Sequence, residues 1–262
     1  MAHRAKRSLG QNFLVDANVC RKIVSVLELD ESSSVLEIGP GQGALTRHIL
    51  EASPAAYLAL EKDTDLAAEL NRRWPEAEIR AADALDFPWE ELNDPQLRIA
   101  GNLPYNVGSR LIWDIVSRAE QYERAVFMVQ LEVAQRLTAT YGQSAYGALS
   151  IWVQNFARTK LVFKVPPTVF RPQPKVESAI VTFFPLHAAL RPKSPSALAS
   201  VLRLCFQKRR KQLSNILKLY WNNEIDYWLE HSGLSPSARP ENVSPTQFAE
   251  LSMLFSLADG PL

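Results

Sequence analysis

Short strand-like runs punctuate the first half of the chain, each followed by a stretch with helical spacing. The runs fall at 34–38, 57–60, 78–81 and 97–100, and a longer one at 123–130 is centred on Ala125-Val126-Phe127-Met128-Val129. Apolar runs of this length, bounded by turn residues, read as buried strands. Between them apolar side chains recur every three or four positions. They are Val19, Ile23, Val26 and Leu27 behind an Asp16 N-cap, the stretch 44–50, Leu66 and Leu70 behind Thr64 as a cap, and Val107, Leu111, Ile112, Ile115 and Val116. That spacing keeps one helix face apolar. Strands and helices alternating in this way predict a doubly wound α/β sheet.

The second half changes character. Positions 131–138 read as a helix with Glu132, Gln135 and Arg136 outward, and 146–156 as another. Strands at 161–165 and 179–184 are then joined by a proline-rich loop instead of a helix, so they are expected to pair antiparallel. The loop is stiff and holds Phe170, Arg171 and Lys175 in place. After a linker at 191–196 the pattern is helical only. Leu202, Phe206, Leu213 and Leu217 keep one face, and Arg209 or Arg210 fills its missing turn and should lie along the surface. The expectation is a seven-stranded, Rossmann-like α/β domain over 1–186, its last strand antiparallel, followed by a small all-α domain over 187–262.

Composition removes several alternatives. No apolar run is long enough to span a bilayer, and the basic, polar N-terminus lacks the apolar centre of a signal peptide, so a cytoplasmic protein is expected. Cys20 and Cys205 read as reduced thiols, and the four histidines lack metal-ligand spacing, so no metal is expected. Net charge is only +1, but its distribution is uneven. Arg4, Lys6 and Arg7 precede any acidic residue, and Lys208-Arg209-Arg210-Lys211 forms a second knot, which together suggest a basic side for phosphates.

The chemistry gathers at strand ends, where open α/β sheets bind ligands. The first strand ends at Glu37-Ile38 and runs into Gly39-Pro40-Gly41-Gln42-Gly43. A glycine loop between strand and helix allows close approach of backbone to a nucleotide. This loop alone does not separate a dinucleotide from other adenosine ligands. Glu37 and Pro40 lean away from NAD, since a carboxylate repels a pyrophosphate and proline lacks an N–H to bind it. Glu61 ends the second strand, where ribose hydroxyls are held, and Asp83 follows the third, where a carboxylate accepts adenine amino protons. Asn102-Leu103-Pro104-Tyr105 ends the fourth. An acidic, amide-lined pocket of this kind suits adenosine joined to a cation, as in S-adenosylmethionine.

These residues resemble the ribosomal RNA adenine dimethyltransferase family. The resemblance is carried by Gly10-Gln11-Asn12-Phe13-Leu14, Glu37 to Gly43, Glu61-Lys62-Asp63, Asp83-Ala84, Asn102 to Tyr105, Gln130 to Arg136, and Phe170 to Ala179, and it covers nearly the whole chain. Ser8-Leu9 departs from the Arg-Phe common there, which touches only local RNA contacts. The resemblance implies S-adenosylmethionine as cofactor, held by Gln11, Asn12, Leu14, Glu37, Gly39, Gly41, Glu61, Lys62, Asp83, Ala84 and Asn102. It implies RNA contacts at the two basic clusters, Arg171 and Lys175. Asn-Leu-Pro-Tyr and the long helical end favour the small-subunit branch of the family, which dimethylates two adjacent adenosines in a hairpin loop near the 3′ end of 16S RNA. The partner expected is therefore 16S RNA in a small subunit or its precursor, met by a monomer. Rival readings are the large-subunit enzymes of macrolide resistance, an RNA-binding assembly factor on the same fold, and a dehydrogenase.

The chemistry expected is orientation. Adenine's exocyclic amine is a poor nucleophile, because its lone pair is delocalised into the ring. The Asn102 side-chain carbonyl and the Leu103 backbone carbonyl, set before Pro104, are expected to accept its two protons, while Tyr105 and Phe170 stack on the two faces of the base. The base must leave its stack to reach them.

Overall fold

The computed structural model describes residues 11–256, which divide into two compact units. The first unit consists of the chain up to 134 together with 159–185. Its strands in chain order are β1 (Phe13–Leu14), β2 (Ser34–Ile38), β3 (Ala56–Glu61), β4 (Glu78–Ala81), β5 (Leu97–Asn102), β6 (Arg124–Gln130), β7 (Ala157–Val165), β8 (Phe170–Arg171) and β9 (Ser178–Pro185). The helices between them are α1 (Ala17–Leu27), α2 (Ala44–Glu51), α3 (Thr64–Arg73), α4 (Gly108–Arg118) and α5 (Leu131–Thr138).

Seven strands form one sheet in the order β4-β3-β2-β5-β6-β9-β7. β2 pairs parallel with both β3 and β5, and β9 runs antiparallel to β6 with Gln130 opposite Ser178. The order reverses between β2 and β5, so the chain leaves these neighbouring strands in opposite directions. A crevice opens at such a switch point. The central strands are buried on both faces. Ile38, Ile99 and Phe127 are almost wholly inaccessible, at about 1.5–3 kcal/mol for each such side chain. Stability therefore resides in the sheet, and its strand-end loops are left to carry polar groups.

On one face α1 and α2 bury Cys20, Ile23, Leu27, Leu45 and Ile49 against Val35, Ala100, Val126 and Ile180. Asp16 starts α1 by accepting the N–H groups of Asn18 and Val19. The cap of α3 is Asp63, not Thr64: its carboxylate accepts from Asp65 N–H. β7 reaches back to Ala157, well before the expected 161. It lies at the sheet edge, and its alternating exposure hides it from a search for apolar runs. The two-residue strands β1 and β8 pair antiparallel, with Phe13 opposite Arg171 and Leu14 opposite Phe170. Two residues carry no period, so the sequence shows neither strand.

The second unit consists of 135–158 and the chain from 186 onward. Residues 135–158, placed with the sheet on sequence grounds, thus belong to the helical unit, which takes in the second half of α5 and the first two residues of β7. Their helix α6 (Ala148–Gln154) packs with α7 (Pro195–Gln207) and α10 (Pro245–Ser256), and α8 (Leu213–Ile216) and α9 (Asn223–His231) complete the unit. Tyr146, expected inside the helix, is instead fully buried ahead of it, with its hydroxyl donating to the Val243 carbonyl at 2.8 Å. Leu202, Leu213 and Leu217 share the buried side as the pattern implied, although the chain turns at 208–212 between α7 and α8. Among the described residues no helix is long and apolar enough to cross a membrane, and no group of His, Cys, Asp and Glu could hold a metal ion.

Candidate active site

A cleft lies at the carboxyl ends of β2, β3 and β5, lined also by the segment after β4 and by residues 11–14. Its floor is the glycine loop. Gly39, Gly41 and Gly43 have φ of +64°, +59° and +80°, a region that side chains with a β-carbon rarely adopt. A β-carbon on Gly43 would also stand 2.5 Å from the Trp74 ring, so the start of α2 tolerates no larger residue.

Glu61 closes this loop. Its two carboxylate oxygens accept the N–H of Gly41 at 2.9 Å and of Asp63 at 2.8 Å. Asp63 in turn accepts from the Gln11 side-chain amide at 3.1 Å, which ties the N-terminal segment to the start of α3. Asp83 accepts from Leu85 N–H at 3.0 Å and pairs with the Lys62 ammonium at 2.6 Å. Partial burial raises the Asp83 pKa, but the Lys62 and Leu85 bonds outweigh it and hold the carboxyl below its ordinary value. Asp83 is thus ionised, and Ala84 beside it is buried against the cleft.

Glu37 behaves differently. It is fully buried, and one oxygen accepts from both Thr46 Oγ at 2.8 Å and the Tyr57 hydroxyl at 2.5 Å. Burial pushes its pKa up to about 7, against the pull of the two hydroxyls. The carboxyl is therefore engaged by α2 and β3. Since its pKa rises on folding from 4.5, Glu37 favours the folded state fully below pH 4.5, and that contribution is lost as pH climbs to about 7. Glu37→Gln keeps an oxygen for both hydroxyls and removes the titration. Urea unfolding at pH 5 and pH 8 should show the variant gaining on the wild type by on the order of 3 kcal/mol. A pH-independent difference would refute the assignment.

Asn102 closes β5. Its side-chain N–H donates to the Asn12 carbonyl at 3.0 Å, which settles the amide's orientation and leaves its oxygen without a partner among the described residues. Leu103 N–H donates to the Met128 carbonyl at 3.1 Å, and its side chain is buried. The Pro104 carbonyl accepts from Val107 and Gly108 at the start of α4, whereas the Leu103 carbonyl accepts no hydrogen bond among the described residues. Two unused acceptors, one on a side chain and one on the backbone, are adjacent in the chain at one wall of the cleft. Tyr105 also lines the cleft, and its hydroxyl meets Ser178 Oγ at 2.7 Å.

Phe170 is not in the cleft. The ring is fully buried in the core with Leu14, Val165 and Ile180, held there by the β1–β8 pairing, so neither of its faces is available to a base in this structure. From the N-terminal segment it is Phe13 that reaches the glycine loop, its ring 3.1 Å from where a β-carbon on Gly41 would stand. Its place next to Asn12 was the one available hint. The pairing of Glu37 with Thr46 and Tyr57 had no sequence signal.

The expected RNA-contacting cations divide. Arg171, Lys175, Lys208, Arg210 and Lys211 are exposed. Arg209 is half-buried and bound to Glu241 at 3.1 Å and to the Ser144 carbonyl at 2.8 Å. Arg4, Lys6 and Arg7 lie outside the described residues.

The cleft suits an adenosine-bearing cation. It is lined by Glu37, Glu61 and Asp83, and its lining cation, Lys62, is neutralised by Asp83. Apart from its two chain neighbours, none of the described residues comes within 4 Å of where a β-carbon on Gly39 would stand, so the loop leaves room at the strand end. Fold and cleft together define the class: an S-adenosylmethionine-dependent methyltransferase. The model of the ribosomal RNA adenine dimethylase family matches residues 2–256. Among similar proteins is the ribosomal RNA small subunit methyltransferase A of Maridesulfovibrio salexigens, 52% identical over 95% of both chains. That of Oleidesulfovibrio alaskensis is 50% identical, covering 97% of this chain and 92% of its own. Among solved structures, a dimethyladenosine transferase from Plasmodium falciparum superposes with a TM-score of 0.76 at 25% identity, covering 94% of this chain and 97% of its own. The 23S rRNA methyltransferase ErmE gives 0.71 at 27% identity, covering 94% of this chain and all of its own. The chain belongs to the ribosomal RNA adenine dimethylase family.

Proposed function

We propose that the protein dimethylates the N6 amine of two adjacent adenosines in the hairpin loop near the 3′ end of 16S RNA, acting as a cytoplasmic monomer on a small subunit or its precursor. The observation that carries this reading is the fixed Asn102 amide, whose oxygen, like the neighbouring Leu103 carbonyl, has no partner among the described residues. An exocyclic amine has two protons, and the pair of acceptors matches them. Bonding both would draw the nitrogen toward a tetrahedral geometry and stabilise the positive charge it develops. Tyr105 supplies one stacking face. S-Adenosylmethionine supplies an electrophilic methyl group on a cationic sulfur. Glu61 would hold its ribose, Asp83 its adenine amine, and Asn12, Leu14 and Gly39 the remainder of the cleft wall.

Both relatives of about half-identical sequence carry the small-subunit name. The direct test is mass spectrometry of 16S RNA from small subunits that lack the modification, incubated with the protein and methyl donor. Two dimethyladenosines side by side are expected. Modification of large-subunit RNA instead would overturn the assignment.

The exposed cations Lys208, Arg210 and Lys211 should contribute to RNA affinity through phosphates. Replacing these three with Gln is expected to weaken binding and lower the slope of log K against log salt by about 2–3. Arg209→Gln should lower thermal stability and leave the salt slope unchanged, because its guanidinium is committed to Glu241 and Ser144 and not to phosphate. Filter binding between 50 and 200 mM salt, as a range in which such contacts change affinity markedly, separates the two. An unchanged slope in the triple variant would make the knot an ordinary solvated surface.

A further inference from the structure

Tyr141 is one of the exposed aromatic side chains of the helical unit, at 59% accessible. It lies in the 139–147 loop, which is tightly held. Thr140 N–H donates to the Gln143 side chain at 3.0 Å, and Gln143 and Tyr146 donate back into the loop. Gly142 N–H donates to the Glu241 carbonyl at 2.8 Å. The Glu241 carboxylate binds Arg209, and the same guanidinium donates to Ser144 two residues further along the loop. Arg209 and Glu241 thus staple the Tyr141 loop to the basic turn 208–211. Lys208, Arg210 and Lys211 on that turn are exposed and make no ion pair among the described residues.

We propose that Tyr141 is a stacking platform for an unpaired ribosomal RNA base whose backbone phosphates are held by Lys208, Arg210 and Lys211. This rests on the RNA-modifying reading above and adds to it a contact in the helical unit. Three features support it. An aromatic face beside a run of cations is the combination that binds single-stranded nucleic acid. The loop is ordered by its own hydrogen bonds, so little entropy is lost when a base settles on the ring. The staple also accounts for why one member of a basic knot is neutralised: Arg209 serves the platform and leaves the phosphates to its neighbours.

The ring's phenol hydroxyl is not needed for stacking. Tyr141→Phe should therefore bind protein-free 16S RNA like the wild type, and Tyr141→Ala about tenfold more weakly, the size of one lost base stack. The salt slope should stay unchanged in Tyr141→Ala, because no phosphate contact is removed, while Lys208, Arg210 and Lys211 neutralised together should flatten it. Glu241→Gln, which loosens the staple, should lose part of the same affinity. Equal binding of Tyr141→Ala and wild type overturns the platform. So does a loss seen with intact small subunits but not with protein-free RNA, which would place a ribosomal protein on the ring. Absence of salt-dependent binding in the wild type would sink the parent reading itself, and is distinguishable from either result.

Discussion

Asn102→Ala is expected to reduce methyl transfer to small-subunit RNA by about 10²–10³-fold while leaving S-adenosylmethionine binding within about tenfold of the wild type. The magnitude is that of removing one preorganised polar partner of a developing charge. The substitution removes the acceptor oxygen and also the bond to the Asn12 carbonyl, so the N-terminal segment loses one of its ties to the sheet. Asn102→Asp distinguishes the two effects. It retains oxygen acceptors of the same reach but cannot donate to the Asn12 carbonyl, and so loses the bond that orients the group. Activity of Asn102→Asp between those of the alanine variant and the wild type would show that orientation and acceptance contribute separately. Single-turnover kinetics with saturating donor, alongside calorimetry of donor binding, measures both quantities. Full activity in Asn102→Ala would remove Asn102 from the mechanism and leave the Leu103 carbonyl to act alone.

Glu61→Gln should weaken S-adenosylmethionine binding by about ten- to a hundredfold and cost about 1–3 kcal/mol of folding stability. The substitution is nearly isosteric, so the reason is directional. Each carboxylate oxygen accepts a backbone N–H, from Gly41 and from Asp63. A glutamine must turn its NH₂ toward one of them, leaving two donors face to face in a buried position. The glycine loop or the start of α3 then loses its anchor, and with it the acceptor pair suited to ribose hydroxyls. Because both ends of the loss pass through one side chain, reduced Tm and raised Kd should appear together. A normal Kd with a reduced Tm would restrict Glu61 to a structural role. A normal value for both would contradict the hydrogen-bond assignment.

Much of the sheet and of the cleft was legible because their signals are local. Apolar runs mark buried strands, glycines mark a loop with positive φ, Glu61 and Asn102 end their strands, and Asp83 lies just past the end of another. Boundaries failed where a tertiary neighbour decided them. Residues 135–158 look like another helical layer on the sheet, yet their packing partners are α7 and α10, far along the chain. β7 alternates because one of its two faces is open to solvent, and β1 and β8 exist only through each other. Phe170 is the instructive miss. In a proline-rich loop beside two cations it reads as an exposed ring, but its register opposite Leu14 turns it into the core.

From the order of its residues alone, the chain determined its class and chemistry. Strand–helix alternation points to a doubly wound sheet, and the residue types at the strand ends suit an adenosine-bearing cation better than a dinucleotide. Tertiary structure decided how that amide points, which carboxylates are engaged elsewhere, which cation of the basic knot is neutralised, and which aromatic ring faces outward. Those choices depend on hydrogen bonds such as Asn102 to Asn12, 90 positions apart, or Arg209 to Ser144, 65 apart. Geometry at that separation is set by the packed sheet and helices that bring the two partners together, and no local pattern encodes it.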